Sequence, residues 1–187
     1  MTDTEIAEKV SWKMPFNAYQ KVGELAGMLK IIRELQPKVI LEIGSHHGGT
    51  AWAMRQVAPN AHMICVDSNI LDKSFSTGEA LIALGVGCDF LEGNSQIQET
   101  LNKVKAIAPV VDFLFLDADH SAEGIRADWE LYSQLVPPGG IIAFHDIKDG
   151  IPTHGVYPLW KELQEKYTTE EIWADPLDWG GIGILIK

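Results

Sequence analysis

Short apolar runs alternate with amphipathic segments along most of this 187-residue chain. Five of the runs are rich in Val, Ile, Leu and Phe, and they predict buried strands at 39–43, 62–66, 88–91, 111–116 and 140–144. Two more candidate strands, 171–174 and 182–187, are joined by a short connection containing Pro and Gly, so they could pair as an antiparallel hairpin. Between the runs, apolar residues recur at helical spacing, as in Ile97, Leu101, Val104 and Ile107.

The alternation of strands with helices predicts the fold class. Strands that are apolar on both faces indicate a parallel sheet covered by helices, with right-handed crossovers. We therefore predict an α/β fold: a doubly wound, mostly parallel, Rossmann-like sheet of seven strands with a late antiparallel strand. An apolar stripe from Phe16 to Ile32 predicts a long amphipathic helix within an N-terminal helical cover at 1–35. We expect residues 1–187 to form a single domain.

Charge and composition narrow the set of partners. The chain has 26 acidic and 15 basic residues, a net charge of −11, which repels nucleic-acid phosphates and anionic lipid. The N-terminus is polar and acidic, and no run of 18 apolar residues is present. Both cysteines lie in apolar runs, as expected of buried, reduced thiols. We expect a cytoplasmic protein that acts on a small molecule, without nucleic acid or membrane.

The first strand ends in a glycine-containing turn, from Glu42 to Thr50. Ligands of open α/β sheets bind beyond the carboxyl ends of the strands, where glycine lets the backbone approach them closely. Gly44 and Gly48 give the spacing G-x-x-x-G, whereas binders of NAD pyrophosphate use G-x-G-x-x-G. The spacing argues against NAD, although a glycine turn can also simply join a strand to a helix.

Polar residues follow the next two strands. Asp67 comes 23 residues after Gly44, where a carboxylate can accept two hydrogen bonds from a ribose diol. Asn94 and Ser95 follow the third strand and have two interpretations. They could hydrogen-bond an adenine edge, or they could cap a helix that begins at Gln96.

Several segments together resemble the class I S-adenosylmethionine-dependent methyltransferases: VILEIGSHHGGT, CVD, EGNS, DFLFLDADHS and PPGGIIAFHD. The resemblance spans about residues 35–187 and is greatest to small-molecule O-methyltransferases of macrolide-sugar and cephalosporin biosynthesis. It implies O-methylation of a small hydroxylated metabolite with S-adenosylmethionine as cofactor. It also implies a set of cofactor-binding residues: Glu42, Gly44, Ser45, Gly48, Asp67, Asn94, Ser95 and Asp117.

Acidic residues and histidines at the ends of the fourth and fifth strands could hold a divalent metal such as Mg²⁺. The resemblance points to Asp117 and Asp146 as ligands, with His145 in a place where some relatives carry an acid. Asp119 is a further donor nearby. Because imidazole is a poor ligand for Mg²⁺, His145 either weakens the metal prediction or shifts the preferred ion.

Removal of the acceptor proton requires a base or a metal. His120 is the predicted general base, since the pKa of free histidine suits proton removal at neutral pH, and His145 is the alternative. His120 could instead cap the next helix or only contact the cofactor. His46 and His47 are expected to line the cofactor pocket.

Substrate selection is expected from segments outside the sheet. The candidates are the N-terminal helix, a loop at 148–158, an apolar wall at Trp179, or a second subunit in a homo-oligomer. Two other functions stay open: a nucleotide-dependent oxidoreductase, and a non-catalytic module that only binds the cofactor.

Overall fold

The computed structural model describes residues 1–13, 16–69, 76–150 and 155–187. The helices of these residues are α1 (Asp3–Val10), α2 (Val22–Leu35), α3 (Gly49–Val57), α4 (Thr77–Ala83), α5 (Gln98–Ile107), α6 (Ala122–Tyr132) and α7 (Val156–Gln164), with a 3₁₀ turn at Ser133–Leu135. The strands are β1 (Val39–Ile43), β2 (His62–Asp67), β3 (Cys88–Glu92), β4 (Phe113–Leu116), β5 (Ile141–His145), β6 (Thr168–Ile172) and β7 (Ile182–Ile186).

The strands form one seven-stranded sheet in the order β3-β2-β1-β4-β5-β7-β6. Strands β1 to β5 pair in parallel, and β7 pairs antiparallel with both β5 and β6. The predicted mostly parallel sheet with a late antiparallel strand is confirmed. The chain winds outward from β1 to β3 and then returns to place β4 on the other side of β1. This reversal creates a crevice at the carboxyl ends of β1 and β4.

Side chains of the central strands alternate between two apolar layers. Ile40 of β1 packs in the layer that contains α1, α2 and α3, whereas Leu41 packs in the layer with α5, α6 and α7. In β4, Phe113 and Leu114 divide between the layers in the same way. Helices therefore cover both faces of the sheet, which is why the strands are apolar throughout.

The predicted N-terminal helix is wrong in its first part. Helix α2 begins at Val22, and a separate helix, α1, begins after Thr2 with a capping box formed by Thr2 and Glu5. Between the two helices, Tyr19 has a φ of 52°, a left-handed conformation that cannot continue an α-helix. The stripe at Phe16 and Tyr19 is therefore apolar for a reason other than helix packing.

Other boundaries differ by a few residues from those predicted. Strand β6 lies at Thr168–Ile172 instead of 171–174, and it forms the predicted antiparallel pair with β7. Helix α7 begins at Val156, so it shortens the loop predicted at 148–158, of which residues 151–154 lie outside the described residues. Within the described ranges, no helix combines the length and apolarity that crossing a membrane requires.

The strand register determines which side chains meet at the crevice. The ends of β1 and β2 lie side by side, as do the ends of β1, β4 and β5. The residues at or just after these ends therefore converge on one edge of the sheet: Gly44, Asp67, Asp117 and His145.

Candidate functional site

The turn after β1 requires glycine for reasons of space. Gly44 has a φ of 93°, and a Cβ at this position would lie 2.2 Å from the carbonyl oxygen of Asp117. The Gly44 N–H donates a 2.8 Å hydrogen bond to the carbonyl oxygen of Val66. The backbone of the turn is thus held against the ends of both neighbouring strands. Gly48 also has a positive φ, of 75°, but a Cβ there would face Leu81 of α4.

Asp67 has a fixed carboxylate at the other side of the crevice. Its Oδ2 accepts a hydrogen bond of 2.8 Å from the His46 N–H, and its Oδ1 accepts one of 2.7 Å from the Asn69 N–H. A carboxylate has about four acceptor positions, so each oxygen can accept a further hydrogen bond. The arrangement holds the two oxygens in place for a diol.

The crevice is a cleft with a volume of about 500 Å³. Its wall is formed by the turn after β1 and by the segments after β2, β3 and β4, namely Gly44, His46, Val66, Asp67, Ser68, Gly93, Asn94, Ser95, Gln96, Asp117, Ala118, Asp119 and His120. This volume suits a nucleoside-sized ligand. The cleft includes Gly44, Asp67, Asn94, Ser95, Asp117 and His120 from the predicted site, whereas Glu42, Ser45 and Gly48 lie outside its wall.

The two interpretations of Asn94 and Ser95 can now be compared. The first turn of α5 is preceded by Ile97, and no side chain caps it. Asn94 Oδ1 instead accepts a 2.8 Å hydrogen bond from the Gln96 N–H, which closes a tight turn. From α6, the hydroxyl of Tyr132 donates a 2.8 Å hydrogen bond to the Ser95 carbonyl oxygen. The segment is therefore anchored within the wall of the cleft, and it does not cap α5.

Glu42 lies behind the glycine turn and is completely buried. Neither of its carboxyl oxygens meets a hydrogen-bond partner among the described residues. Burial raises the pKa of Glu42 to about 8, and the nearby Ser45 side chain opposes part of the rise. Such a carboxyl group is suited to receive a cationic group of a ligand.

Two acids and two histidines meet at the ends of β4 and β5. Asp117 Oδ1 lies 3.3 Å from His120 Nε2 and 3.3 Å from His145 Nδ1. Asp146 Oδ2 lies 3.3 Å from His120 Nδ1 and 3.3 Å from His145 Nδ1. Asp146 has a φ of 58°, an unusual conformation of the kind that clusters at functional sites. We call these four residues the Asp–His cluster.

The charges in the Asp–His cluster are strongly coupled. Burial opposes ionisation of Asp117, but the positive charges of His145 and His120 outweigh it and lower the pKa of Asp117 to about 2. Burial would lower the pKa of His145, but Asp117, Asp146 and Glu24 raise it well above the usual value. The pKa of His120 is also raised, because Asp117 and Asp146 outweigh the effect of its burial. His120 lines the cleft, whereas His145 is buried.

Two residues of the N-terminal cover join this cluster and were missed by the sequence analysis. The Gln20 side-chain amide donates a 2.7 Å hydrogen bond from Nε2 to Asp117 Oδ2. Glu24 Oε2 lies 3.6 Å from His145 Nε2. Both side chains are fully buried. The sequence contained a signal for Glu24, because this acidic residue lies on the apolar face of α2 beside Leu25 and Met28. A charged side chain on a buried face usually has a partner.

The donors that could hold a metal differ in part from the predicted set. Within the described part of the chain, one ligand atom from each of Asp117, His120 and Asp146 lies within 4.8 Å of the others. His120 completes this group, and the predicted donor His145 lies beside it, with Nδ1 3.3 Å from both Asp117 Oδ1 and Asp146 Oδ2. Asp119 lies apart from it and accepts hydrogen bonds from the Ser121 N–H and from Gln96.

Comparison with known proteins identifies the family. The sequence profile of a methyltransferase domain matches residues 41–147, more than half of the chain. A rhamnosyl O-methyltransferase from Mycobacterium tuberculosis is 27% identical over 154 residues, which cover 78% of this chain and 59% of the relative. The present chain therefore spans about three fifths of the length of that relative.

Solved structures show the same fold. An O-methyltransferase from Bacillus cereus, solved in complex with SAH, superposes with a TM-score of 0.69 at 14% identity, over 100% of this chain and 91% of that chain. The O-methyltransferase TomG from Streptomyces achromogenes, involved in tomaymycin synthesis and solved in complex with SAM, has a TM-score of 0.68 at 17% identity, over 98% and 86% of the two chains. These similarities confirm the predicted fold class, and the matching profile confirms the predicted family. The chain belongs to the methyltransferase domain family.

Proposed function

We propose that this protein transfers the methyl group of S-adenosylmethionine to a hydroxyl group of a small molecule. The observation that carries the proposal is the geometry of the cleft. Gly44 is packed too closely against β4 for any side chain, and the fixed carboxylate of Asp67 lies on the same cleft wall. A nucleoside can lie against this turn with its ribose hydroxyls donating to Asp67.

The remaining cofactor contacts follow from charge and position. Among the described residues, the carboxyl oxygens of the buried Glu42 have no hydrogen-bond partner. The ammonium group of the cofactor's methionine portion would provide one and would favour the ionised carboxylate. The Asn94–Ser95 segment would border the adenine ring. When bound, S-adenosylmethionine supplies an electrophilic methyl group, so the protein must align the acceptor and remove its proton.

His120 is the residue that we propose as the base. It lines the cleft, and each of its ring nitrogens faces a carboxylate, Nε2 that of Asp117 and Nδ1 that of Asp146. One of these contacts must therefore open when the acceptor binds, so that the freed ring nitrogen can take the hydroxyl proton. These carboxylates raise the pKa of His120, which makes its neutral form a stronger base. The raised pKa also means that fewer molecules carry neutral His120 at neutral pH. Turnover through this route should therefore increase as the pH rises through the pKa of His120.

A divalent cation offers a second route. The cluster of Asp117, His120 and Asp146 provides two carboxylates and one imidazole, a mixed set that suits Mn²⁺ or Zn²⁺ better than Mg²⁺. A cation held there would lower the pKa of the acceptor hydroxyl. Because His120 would then be a metal ligand, it could not also act as the base, so the two routes exclude each other. A chelator should stop turnover by the metal route and should not stop turnover by the base route.

The acceptor that we propose is a sugar hydroxyl, on the basis of the similarity to rhamnosyl O-methyltransferases. We place the reaction in the cytoplasm, because both Cys65 and Cys88 are free thiols. Association of the chain into a homo-oligomer stays a prediction.

The test is formation of S-adenosylhomocysteine (SAH) from S-adenosylmethionine with a rhamnoside as acceptor, with and without a chelator. His120→Ala should retain SAH affinity and lose turnover by about 10²–10⁴-fold. His62→Ala is the control, because His62 is half-exposed and pairs with Asp89 away from the cleft. Undiminished turnover in His120→Ala would show that His120 is not the base. Binding of NAD in place of SAH would favour the oxidoreductase, and SAH binding without turnover on hydroxyl acceptors would favour a non-catalytic module.

A further inference from the structure

Three aromatic residues lie beside the cleft and have no role in the cofactor site described above. Trp12 lies between α1 and α2 and is 52% exposed, Tyr19 precedes α2 and is 39% exposed, and Trp179 lies between β6 and β7. The ring of Trp12 is 5.5 Å from that of Tyr19 and 5.7 Å from that of Trp179. These three rings form one continuous surface, which we call the aromatic ledge.

The aromatic ledge adjoins the reaction site at both of its ends. At one end, the Tyr19 ring lies 4.9 Å from the ring of His46, which lines the cleft. At the other end, the Trp179 ring lies 6.4 Å from the ring of His145 in the Asp–His cluster. A molecule seated on the ledge would therefore lie beside both the wall of the cleft and the Asp–His cluster.

The ledge is held in place by the protein itself. Trp12 and Tyr19 have φ values of 55° and 52°, a left-handed conformation that bulky residues rarely adopt and that persists only where surrounding structure enforces it. Trp179 is fixed by Lys21, whose Nζ lies 4.5 Å from the centre of the ring and donates a hydrogen bond to the Trp179 carbonyl oxygen. Exposed rings that the backbone holds in this way provide a preorganised binding surface.

We propose that the aromatic ledge binds the acceptor and that the acceptor binds there as a sugar ring. This inference rests on the proposed function. Neighbouring rings of the ledge meet at interplanar angles of 86° and 81°, so a flat aromatic acceptor cannot stack on two of them at once. A sugar ring presents C–H groups on its faces and hydroxyls around its edge. It can lay a face on one indole and contact the adjoining ring sideways.

Polar groups at the edge of the ledge complete this match. Lys21 Nζ lies 2.9 Å from Asp178 Oδ2, and this ion pair borders the Trp179 ring. An ammonium and a carboxylate side by side can donate to and accept from adjacent sugar hydroxyls. Apolar ring faces bordered by such a pair suit a molecule that is apolar on its faces and polar around its rim.

The experiment measures binding of methyl α-L-rhamnopyranoside by calorimetry in the presence of saturating SAH. The parent protein should bind the rhamnoside, and Trp12→Ala should weaken that binding by about tenfold, the loss of one stacking contact. Trp12→Phe should recover most of the affinity. Ile82→Ala removes a side chain that is 81% exposed on α4 and is the matched control, with no change expected. None of these variants should change the affinity for SAH.

The outcomes separate this inference from the proposed function. If the parent does not bind SAH, the proposed function fails. If SAH binds normally but the rhamnoside does not bind, or binds Trp12→Ala as well as the parent, the ledge is not the acceptor site. If catechol binds more tightly than the rhamnoside and with the same dependence on Trp12, the aromatic ledge is still the acceptor site. The acceptor is then not a sugar.

Discussion

Replacement of Glu42 by Gln tests whether this buried carboxyl group is held ready for a cationic ligand. Burial raises the pKa of Glu42 in the folded protein from 4.5 to about 8. Its contribution to stability is therefore fully present below about pH 4.5 and is lost as the pH rises to about 8. Gln never ionises and has nearly the shape of protonated Glu, so the stability of Glu42→Gln relative to the parent should increase between pH 5 and alkaline pH.

The size of the effect follows from the pKa. A rise from 4.5 to about 8 sets a limit of about 5 kcal/mol. Relaxation of the surroundings at alkaline pH reduces this, so we expect about 2 kcal/mol, or about 4–8 °C in Tm for a chain of this length. Glu42→Gln should also weaken SAH binding by about tenfold or more, because a charge-assisted contact to the ligand ammonium is lost.

The assay is thermal unfolding at pH 5 and pH 8.5, with and without SAH. Glu8→Gln, an exposed position on α1, is the control and should give the same difference from the parent at both pH values. A Glu42→Gln variant whose Tm differs from the parent equally at pH 5 and pH 8.5 would refute the reasoning. Unaltered SAH affinity in Glu42→Gln would show that Glu42 does not bind the cofactor. The prediction about stability does not depend on that result.

Three further predictions concern the wall of the cleft and the metal. Gly44→Ala should destabilise the protein by more than Gly85→Ala in denaturant unfolding: both have positive φ, which costs about 1–2 kcal/mol, but only Gly44 would also meet a backbone oxygen. Equal losses would contradict the packing argument. Tyr132→Phe should lose about 1–3 kcal/mol of stability and weaken SAH binding, because the Ser95 carbonyl loses its donor; a variant identical to the parent in both would show that the bond is unimportant. Asp146→Ala should abolish any rise in Tm that Mn²⁺ gives the parent, and a rise retained by the variant would place the metal elsewhere.

Most of the sheet could be predicted from the sequence because its signals are local. A strand buried on both faces is a continuous apolar run, and the glycine turn after β1 is required by a close approach that leaves no room for a side chain. Asp67 and Asp117 could be placed because the carboxyl ends of parallel strands share one edge of the sheet. These inferences need only the pattern of the chain and general rules of topology.

The rest depends on contacts between distant parts of the chain. The helical spacing of apolar residues predicts that the helix observed as α2 begins at Phe16. Tyr19 instead adopts a left-handed conformation, which no local pattern indicates. Gln20 and Asp117 are 97 positions apart and meet only because the N-terminal segment folds over the edge of the sheet. His120 likewise joins Asp117 and Asp146 as a possible metal donor because of the direction that its side chain takes after β4, which no local pattern indicates.

A crystal structure of the protein with SAH tests the central claim most directly. The account predicts that SAH occupies the cleft at the turn after β1, with both ribose hydroxyls within about 3 Å of the Asp67 carboxylate and the ammonium group facing Glu42. An empty cleft at saturating SAH, or the ligand bound away from Gly44 and Asp67, would contradict it.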